Sequence, residues 1–184
     1  MTKHQNNYTS FNIYFQDESR FGLFTRNGKS ITLKGIKPVC PFVQDFKNTY
    51  LFGAFSPITG SSLLLDLPYC STECFEVFLQ ELSKQQPDEY KILFLYNGAF
   101  HKAKRLLIPV NISLCFIPPY SPELNPAEKL WGFLKRKITN KAFKKLEELQ
   151  SFMDDIIKKY VTADLIKSIT KTKTYEIAIN KTFI

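Results

Sequence analysis

The sequence contains no long hydrophobic run, since its apolar stretches end after five or six residues. A membrane-spanning helix needs about 20 consecutive apolar residues, so the sequence predicts no such helix and no membrane partner. The first ten residues are polar and lack the apolar stretch of a secretion signal. We therefore expect a soluble, cytoplasmic protein.

Cysteine and histidine are scarce, with four and two residues respectively. No pair of cysteines has the Cys-x-x-Cys spacing of a zinc site, and no histidine stands near Cys70 or Cys74 in the sequence. In a chain without an export signal, the thiols are expected to stay reduced. Cys40 and Cys115 stand among apolar residues and are predicted to fill the core.

Basic residues are unevenly spread and concentrate in the last third of the chain. Residues 129–184 hold 13 Lys and Arg against 6 Asp and Glu, whereas residues 1–128 hold 12 against 11. The formal charge of +8 therefore comes almost wholly from the C-terminal third. A one-sided positive field is typical of proteins that bind a polyanion, most often nucleic acid. A lysine-rich helical surface in water accounts for the same charge, and composition alone does not choose between the two.

Apolar residues make up 44% of the 184 residues, which is enough for one domain with a core. Their spacing predicts strands at 11–17, 49–55, 62–67, 91–96 and 112–117, and short extended pieces at 21–25 and 31–33. Helical spacing predicts helices at 72–84, 126–137 and 144–160, a short helix at 100–107 and a weak one at 164–168. This order is typical of an α/β fold in which helices flank a mixed five-stranded sheet.

Acidic residues are predicted to meet at one edge of this sheet. Asp17 ends the first strand, the strand ending at Tyr96 is expected beside it, and Glu128 stands in the first turn of a later helix. Carboxylates gathered where strands end would hold Mg²⁺ or Mn²⁺, which prefer oxygen ligands. Ordinary interpretations exist for both acids: Asp17 as a strand-end acid, and Glu128 as part of a capping box that opens with Asn125–Pro126.

Three segments resemble the signature blocks of the DDE-type transposases, in the insertion-sequence 630 and Tc1–mariner superfamily. They are Phe15–Gly22, Asn97–Lys102 and Pro118–Trp131, and the last, PPYSPELNPAEKLW, is long enough to be specific. The resemblance covers residues 11–160 and implies a ribonuclease-H-like fold. It divides the chain into a frayed N-terminus (1–10), a DDE-type catalytic domain (11–160) and a C-terminal tail (161–184). It also implies a DNA-associated protein of prokaryotic origin.

By this resemblance, Asp17 and Glu128 are the first and third catalytic acids and bind two Mg²⁺ or Mn²⁺ ions. The family's second acid precedes the asparagine of the second block, but here that place holds Tyr96. A phenol is neutral and a poor ligand for Mg²⁺. The resemblance therefore implies a domain for DNA cleavage and strand transfer whose rate is lowered by orders of magnitude at Tyr96. Rescue by Glu18 is disfavoured, because neighbouring strand residues face opposite sides of a sheet.

The resemblance also implies contacts with DNA, both transposon ends and target. Lys135, on the Glu128 side of its helix, and Arg136 are candidates for the DNA backbone. His101 and Asn97 in the second block are further candidates. The ordinary alternatives are an exposed helix face for the two cations, a helix-end histidine and a turn asparagine.

Weaker candidates for the same role are Arg20, Arg26 and Lys34. Family members carry helix-turn-helix modules ahead of the catalytic domain, so a separately encoded helix-turn-helix subunit is left open as a partner, as is a homodimer. Two alternatives to an impaired transposase also stay open. One is a non-enzymatic DNA-binding remnant that regulates an intact transposase, and the other is a nuclease with an atypical ligand set.

Overall fold

The computed structural model describes residues 8–118, 121 and 124–170. Its centre is a five-stranded sheet in the order β3-β2-β1-β4-β5. The strands are β1 (Ser10–Gly22), β2 (Asn48–Phe55), β3 (Ser62–Leu67), β4 (Glu89–Leu95) and β5 (Ile112–Phe116). β1, β2 and β3 pair antiparallel, whereas β4 runs parallel to both β1 and β5. The predicted mixed sheet is confirmed, as is the placement of the fourth strand beside the first.

Four helices flank the sheet: α1 (Thr72–Lys84), α2 (Ala127–Ile138), α3 (Leu146–Tyr160) and α4 (Ala163–Thr170). The helix predicted at 100–107 is wrong, because only a 3₁₀ turn at Ala99–Lys102 forms there. Leu107 and Ile108 are exposed. A short helix gains most of its stability from a continuous buried apolar face, and here Phe100 and Leu106 pack partly against the core while Leu107 does not.

One face of the sheet is covered by α1. Its apolar stripe is wholly buried, with Phe75, Phe78, Leu79 and Leu82 all 0% exposed. They pack against Tyr14, Phe52 and Leu93 of the central strands. Burying one such side chain contributes roughly 1.5–3 kcal/mol, so this stripe fixes α1 on the sheet.

The other face is covered by α2, α3 and α4. Trp131 and Leu134 of α2 are buried here, and Leu149 and Ile166 join them from α3 and α4. α4 falls within the residues predicted as a tail, and its Ile166 is part of this core. The rest of that tail (171–184), residues 1–7 and positions 119, 120, 122 and 123 of the third signature block lie outside the described residues.

The long connection between β1 and β2 differs from the prediction. The piece at 31–33 is not a strand, and Ile31 and Leu33 point into solvent at 103% and 76% exposure. The core role predicted for Cys115 is also wrong, because Cys115 lies exposed on the edge strand β5. All four cysteines are free thiols, as expected. No helix in the described part of the chain is long and apolar enough to cross a membrane.

Candidate active site

Asp17 lies within β1, directly opposite Gly53 of β2. The prediction that Asp17 ends the first strand is wrong, because pairing with β2 carries β1 on to Gly22. Trp131 reaches the sheet from α2 and donates a hydrogen bond from Nε1 to Oδ2 of Asp17 at 2.8 Å. A Cβ at position 53 would collide with Cζ of Phe55 and lie 2.8 Å from Cη2 of Trp131, so glycine makes room for both the Phe55 ring and the indole. The missing side chain on β2 thus lets α2 fix the Asp17 carboxyl group.

Asn125 ties the first turn of α2 to β1. Its Oδ1 accepts from the backbone N–H of Ala127 at 3.1 Å, and its Nδ2 donates to the backbone carbonyl of Gln16 at 2.9 Å. The first bond caps the helix as the sequence predicted, although α2 begins one residue later than expected. The second bond holds the turn that carries Glu128 against Gln16, the residue before Asp17. Glu128 itself is exposed.

The electrostatics of Asp17 are strongly perturbed. Burial is the main reason that its pKa rises from 3.8 to about 8, and the negative charges of Glu18 and Glu128 raise it further. The hydrogen bond from Trp131 acts in the opposite direction. At neutral pH the carboxyl group is therefore mostly protonated. A nearby cation would supply the missing positive charge and release this proton.

Position 96 follows from the pairing of β1 with β4. The last paired residues are Phe15 and Phe94, whose rings stack with centroids 5.4 Å apart. Two residues further along each strand stand Asp17 and Tyr96, and alternation sets Asp17 on the same face as Phe15. The continued register predicts Tyr96 beside Asp17. In the described part of the chain, no three His, Cys, Asp or Glu side chains form a group that could hold a metal ion.

Residues 12–150 match the family model described as DDE superfamily endonuclease. This segment contains Asp17, Tyr96 and Glu128 and spans well over half of the chain. The chain belongs to the DDE superfamily endonucleases. A curated relative, the uncharacterized protein y4pE/y4sA of Sinorhizobium fredii (strain NBRC 101917 / NGR234), is 38% identical over 102 residues, which are 54% of this chain and 76% of that protein.

Solved structures with the same fold come from the Mos1 transposase. The pre-cleavage Mos1 transpososome matches with a TM-score of 0.67 and 17% identity, over 86% of this chain and 52% of that one. The Mos1 mariner paired end complex with Mn matches with a TM-score of 0.66 and 18% identity, over 86% and 51%. At this identity the likeness shows the fold, which confirms the ribonuclease-H-like sheet. The chain is a DDE transposase-like catalytic domain that spans about half the length of these transposases.

The opposite face of the DDE domain holds Glu18 and His101. Nε2 of His101 lies 2.9 Å from Oε1 of Glu18, and Nδ1 lies 2.9 Å from the backbone oxygen of Tyr96. His101 is 3% exposed, so the structure places this candidate for DNA contact in the interior with both ring nitrogens engaged. Glu18 faces away from the Trp131 side, as alternation predicted. The contact between Glu18 and His101 was not predicted from the sequence, although the same alternation placed Glu18 on the side of the sheet where His101 lies.

Asn97 joins the ends of two strands in the DDE domain. Its Nδ2 donates to the backbone oxygen of Ile117 at 3.0 Å, just after β5. Its Oδ1 is buried and has no hydrogen-bond partner. Leaving a buried oxygen without a hydrogen bond costs roughly 1–3 kcal/mol. The residue next to Tyr96 therefore has a hard oxygen atom whose bonding capacity the protein does not use.

A groove of about 400 Å³ lies further along α2. Lys135 lines it, seven residues after Glu128, with Nζ 5.9 Å from the ring centre of Phe21. Phe24 and Phe46 stack at 5.7 Å and are both exposed. The remaining charged residues that line it are Arg20, Arg26, Lys47 and Asp45. Two of the three weaker sequence candidates therefore meet Lys135 in one groove, whereas Lys34 and Arg136 are not among its lining residues.

Proposed function

We propose that this DDE domain is the catalytic part of a transposase that cleaves DNA and transfers its strands, and that Tyr96 impairs it. The observation that carries the proposal is that hydrogen bonds on both sides of Glu128 fix α2 to β1. Trp131 donates to Asp17 and Asn125 donates to the backbone oxygen of Gln16, so the turn with Glu128 lies against the strand with Asp17. The charge of Glu128 also contributes to the raised pKa of Asp17. Tyr96 occupies the place where the family resemblance puts the remaining acid.

The donor set fits a divalent cation. Two carboxylates and the unpaired Asn97 oxygen are hard ligands of the kind Mg²⁺ and Mn²⁺ prefer. Asp17 and Glu128 would hold the ion, which when bound would activate a water or a 3′-hydroxyl and stabilise the leaving oxygen of a phosphodiester. Two of the matched Mos1 structures are paired end complexes with Mn and with Mg. A second ion would need a bridging acid, and the neutral phenol of Tyr96 does not supply one.

Residues of the chain position the two acids and supply positive charge for a DNA substrate. Trp131 orients the Asp17 carboxyl group, and Asn125 holds the α2 turn that carries Glu128. The groove beyond Lys135 offers four cations against one acid, which suits the phosphates of a DNA strand. Its exposed rings, Phe24 and Phe46, offer faces on which unpaired bases can stack.

The test compares the chain as it stands with Tyr96→Asp and with Tyr96→Asn, which has nearly the same shape as Asp but no charge. Mn²⁺ affinity is measured by calorimetry, and cleavage is measured by nicking of supercoiled DNA. We expect Tyr96→Asp alone to bind Mn²⁺ at least tenfold more tightly and to nick at least 100-fold faster. Equal nicking by the unmodified chain would show that the domain is not impaired.

A DNA-binding remnant that regulates an intact transposase is the second candidate, because the groove does not depend on the second acid, whose place Tyr96 takes. This candidate gains support if Tyr96→Asp restores neither metal binding nor nicking while salt-dependent DNA binding persists. Recognition of transposon ends would then, as in the first candidate, fall to a helix-turn-helix subunit or a second copy. Sedimentation of the chain with and without DNA would reveal a homodimer.

A further inference from the structure

His101 bridges two strands at the point where their pairing ends. The β1–β4 register stops at Phe15 and Phe94, and β4 itself ends at Leu95. Just beyond, the His101 ring contacts Glu18 of β1 with Nε2 and the Tyr96 carbonyl with Nδ1, both at 2.9 Å. The His101 side chain thus joins β1 to the residue that follows β4, beyond the last described backbone pair of these two strands.

The bridge requires a definite placement of protons. The Tyr96 carbonyl can only accept, so Nδ1 must donate to it. Nε2 then either donates to the Glu18 carboxylate from a charged ring, or accepts from a protonated Glu18. In both arrangements each ring nitrogen has a satisfied hydrogen bond, so the ring cannot rotate without losing two contacts.

The surroundings leave the ring little freedom. Its centroid lies 4.5 Å from that of Phe75 on α1 and 4.1 Å from that of Phe100. A Cβ at position 98 would lie 2.9 Å from Nδ1, so Gly98 is needed for the ring to reach the Tyr96 carbonyl. The same oxygen of Glu18, Oε1, also accepts a hydrogen bond from Nε2 of Gln16 at 2.6 Å. Both partners and the ring are therefore ordered.

We propose that His101 is a positioning residue, which fixes position 96 against β1 from the face of the sheet opposite to Trp131. It touches neither Asp17 nor Glu128 and acts through the backbone of Tyr96. The structural role of His101 does not depend on the proposed function. Only its consequence rests on that function, because the consequence is the spacing between residues 17 and 96 of the proposed site. A misplacement of about 1 Å in such a site can cost roughly 100-fold in rate.

The test removes the bridge and compares it with a matched loss elsewhere. His101→Ala deletes both bonds, and His101→Gln offers an amide with two N–H donors. Asn111→Ala is the control. Like His101, Asn111 makes two side-chain hydrogen bonds and contacts α1, with Oδ1 accepting from the Ser83 hydroxyl at 2.6 Å, but it lies before β5 at the far end of the strands. Backbone amide exchange over residues 94–98 is measured in all three, and Mn²⁺ affinity is measured with each change combined with Tyr96→Asp.

We expect His101→Ala to speed exchange over residues 94–98 at least tenfold, Gln to recover part of the protection, and Asn111→Ala to leave it unchanged. Mn²⁺ affinity should fall at least tenfold with His101→Ala and not with Asn111→Ala. Unchanged exchange in His101→Ala overturns the inference, as does faster exchange with unchanged Mn²⁺ affinity. If Tyr96→Asp itself binds no Mn²⁺, the proposed metal site fails, and exchange alone decides the role of His101.

Discussion

Replacing Asp17 with Asn should change how the stability of the domain depends on pH. The pKa of Asp17 is 3.8 in its ordinary state and about 8 when folded. Between these values the folded chain holds a proton that the unfolded chain has released, so the native state is favoured less as pH rises. Asn keeps an oxygen that can accept from Trp131 but does not titrate. The Asp17→Asn variant should therefore lack this loss of stability.

The size of the effect follows from the same two values. Each pH unit between them shifts the folding equilibrium about tenfold toward unfolding. From pH 4 to pH 8 the free energy of unfolding should fall by several kcal/mol, with about 5 kcal/mol as the upper limit. Below pH 4 and above pH 8, this group contributes no further slope.

Urea unfolding between pH 4 and pH 9, in the presence of a chelator, measures the difference. The unmodified chain should lose stability relative to Asp17→Asn until about pH 8, and Mn²⁺ should reduce the loss. Asp154→Asn is the control, since it makes the same chemical change at an exposed position of α3. Curves for the unmodified chain and Asp17→Asn that stay parallel over this range would refute the perturbed carboxyl group.

Three further outcomes test the surroundings of the site. Trp131→Phe should raise the pKa of Asp17 and cost about 1–3 kcal/mol, measured by carboxyl NMR titration and by urea unfolding, because it removes one hydrogen bond; an unmoved titration would contradict this. Gly53→Ala should cost about 1–3 kcal/mol by overpacking against Trp131, whereas Gly132→Ala, with no described contact closer than 3.6 Å, should not lower the melting temperature. Lys135→Ala should lower the salt slope of DNA binding by about 1, and the exposed Lys129→Ala outside the groove should leave it unchanged.

The sheet could be predicted because each strand has a recognisable pattern of apolar residues in its own short segment of sequence. Alternation along residues 11–17 and the continuous apolar run before Tyr96 are typical of a half-covered strand and a strand buried on both faces. The pieces that failed lack such support. Residues 31–33 have no partner strand, and the segment at 100–107 reaches the core only in part, so local pattern gave a strand and a helix that tertiary packing does not sustain.

The candidate acids could be picked out from the sequence, and they stay a prediction, whereas the residues that support them could not. Asp17 and Glu128 stand in signature blocks whose residues can be read directly. The roles of Gly53 and Asn125 depend on which atoms face them across the fold, and no spacing in the sequence encodes that. His101 was singled out for its block, yet its burial and its bond to Glu18 follow from the layer formed by α1.

The bonds that hold the site join parts of the chain that are far apart in sequence. Trp131 and Asp17 are separated by 114 residues, and Asn125 reaches back over 109 to Gln16. During synthesis, all five strands leave the ribosome before α2, α3 and α4, so the sheet face that these helices cover stays bare until the last third of the chain emerges. A product truncated before α2 would lack Trp131 and Glu128 and would expose that apolar face, so we expect it to aggregate rather than to form the sheet.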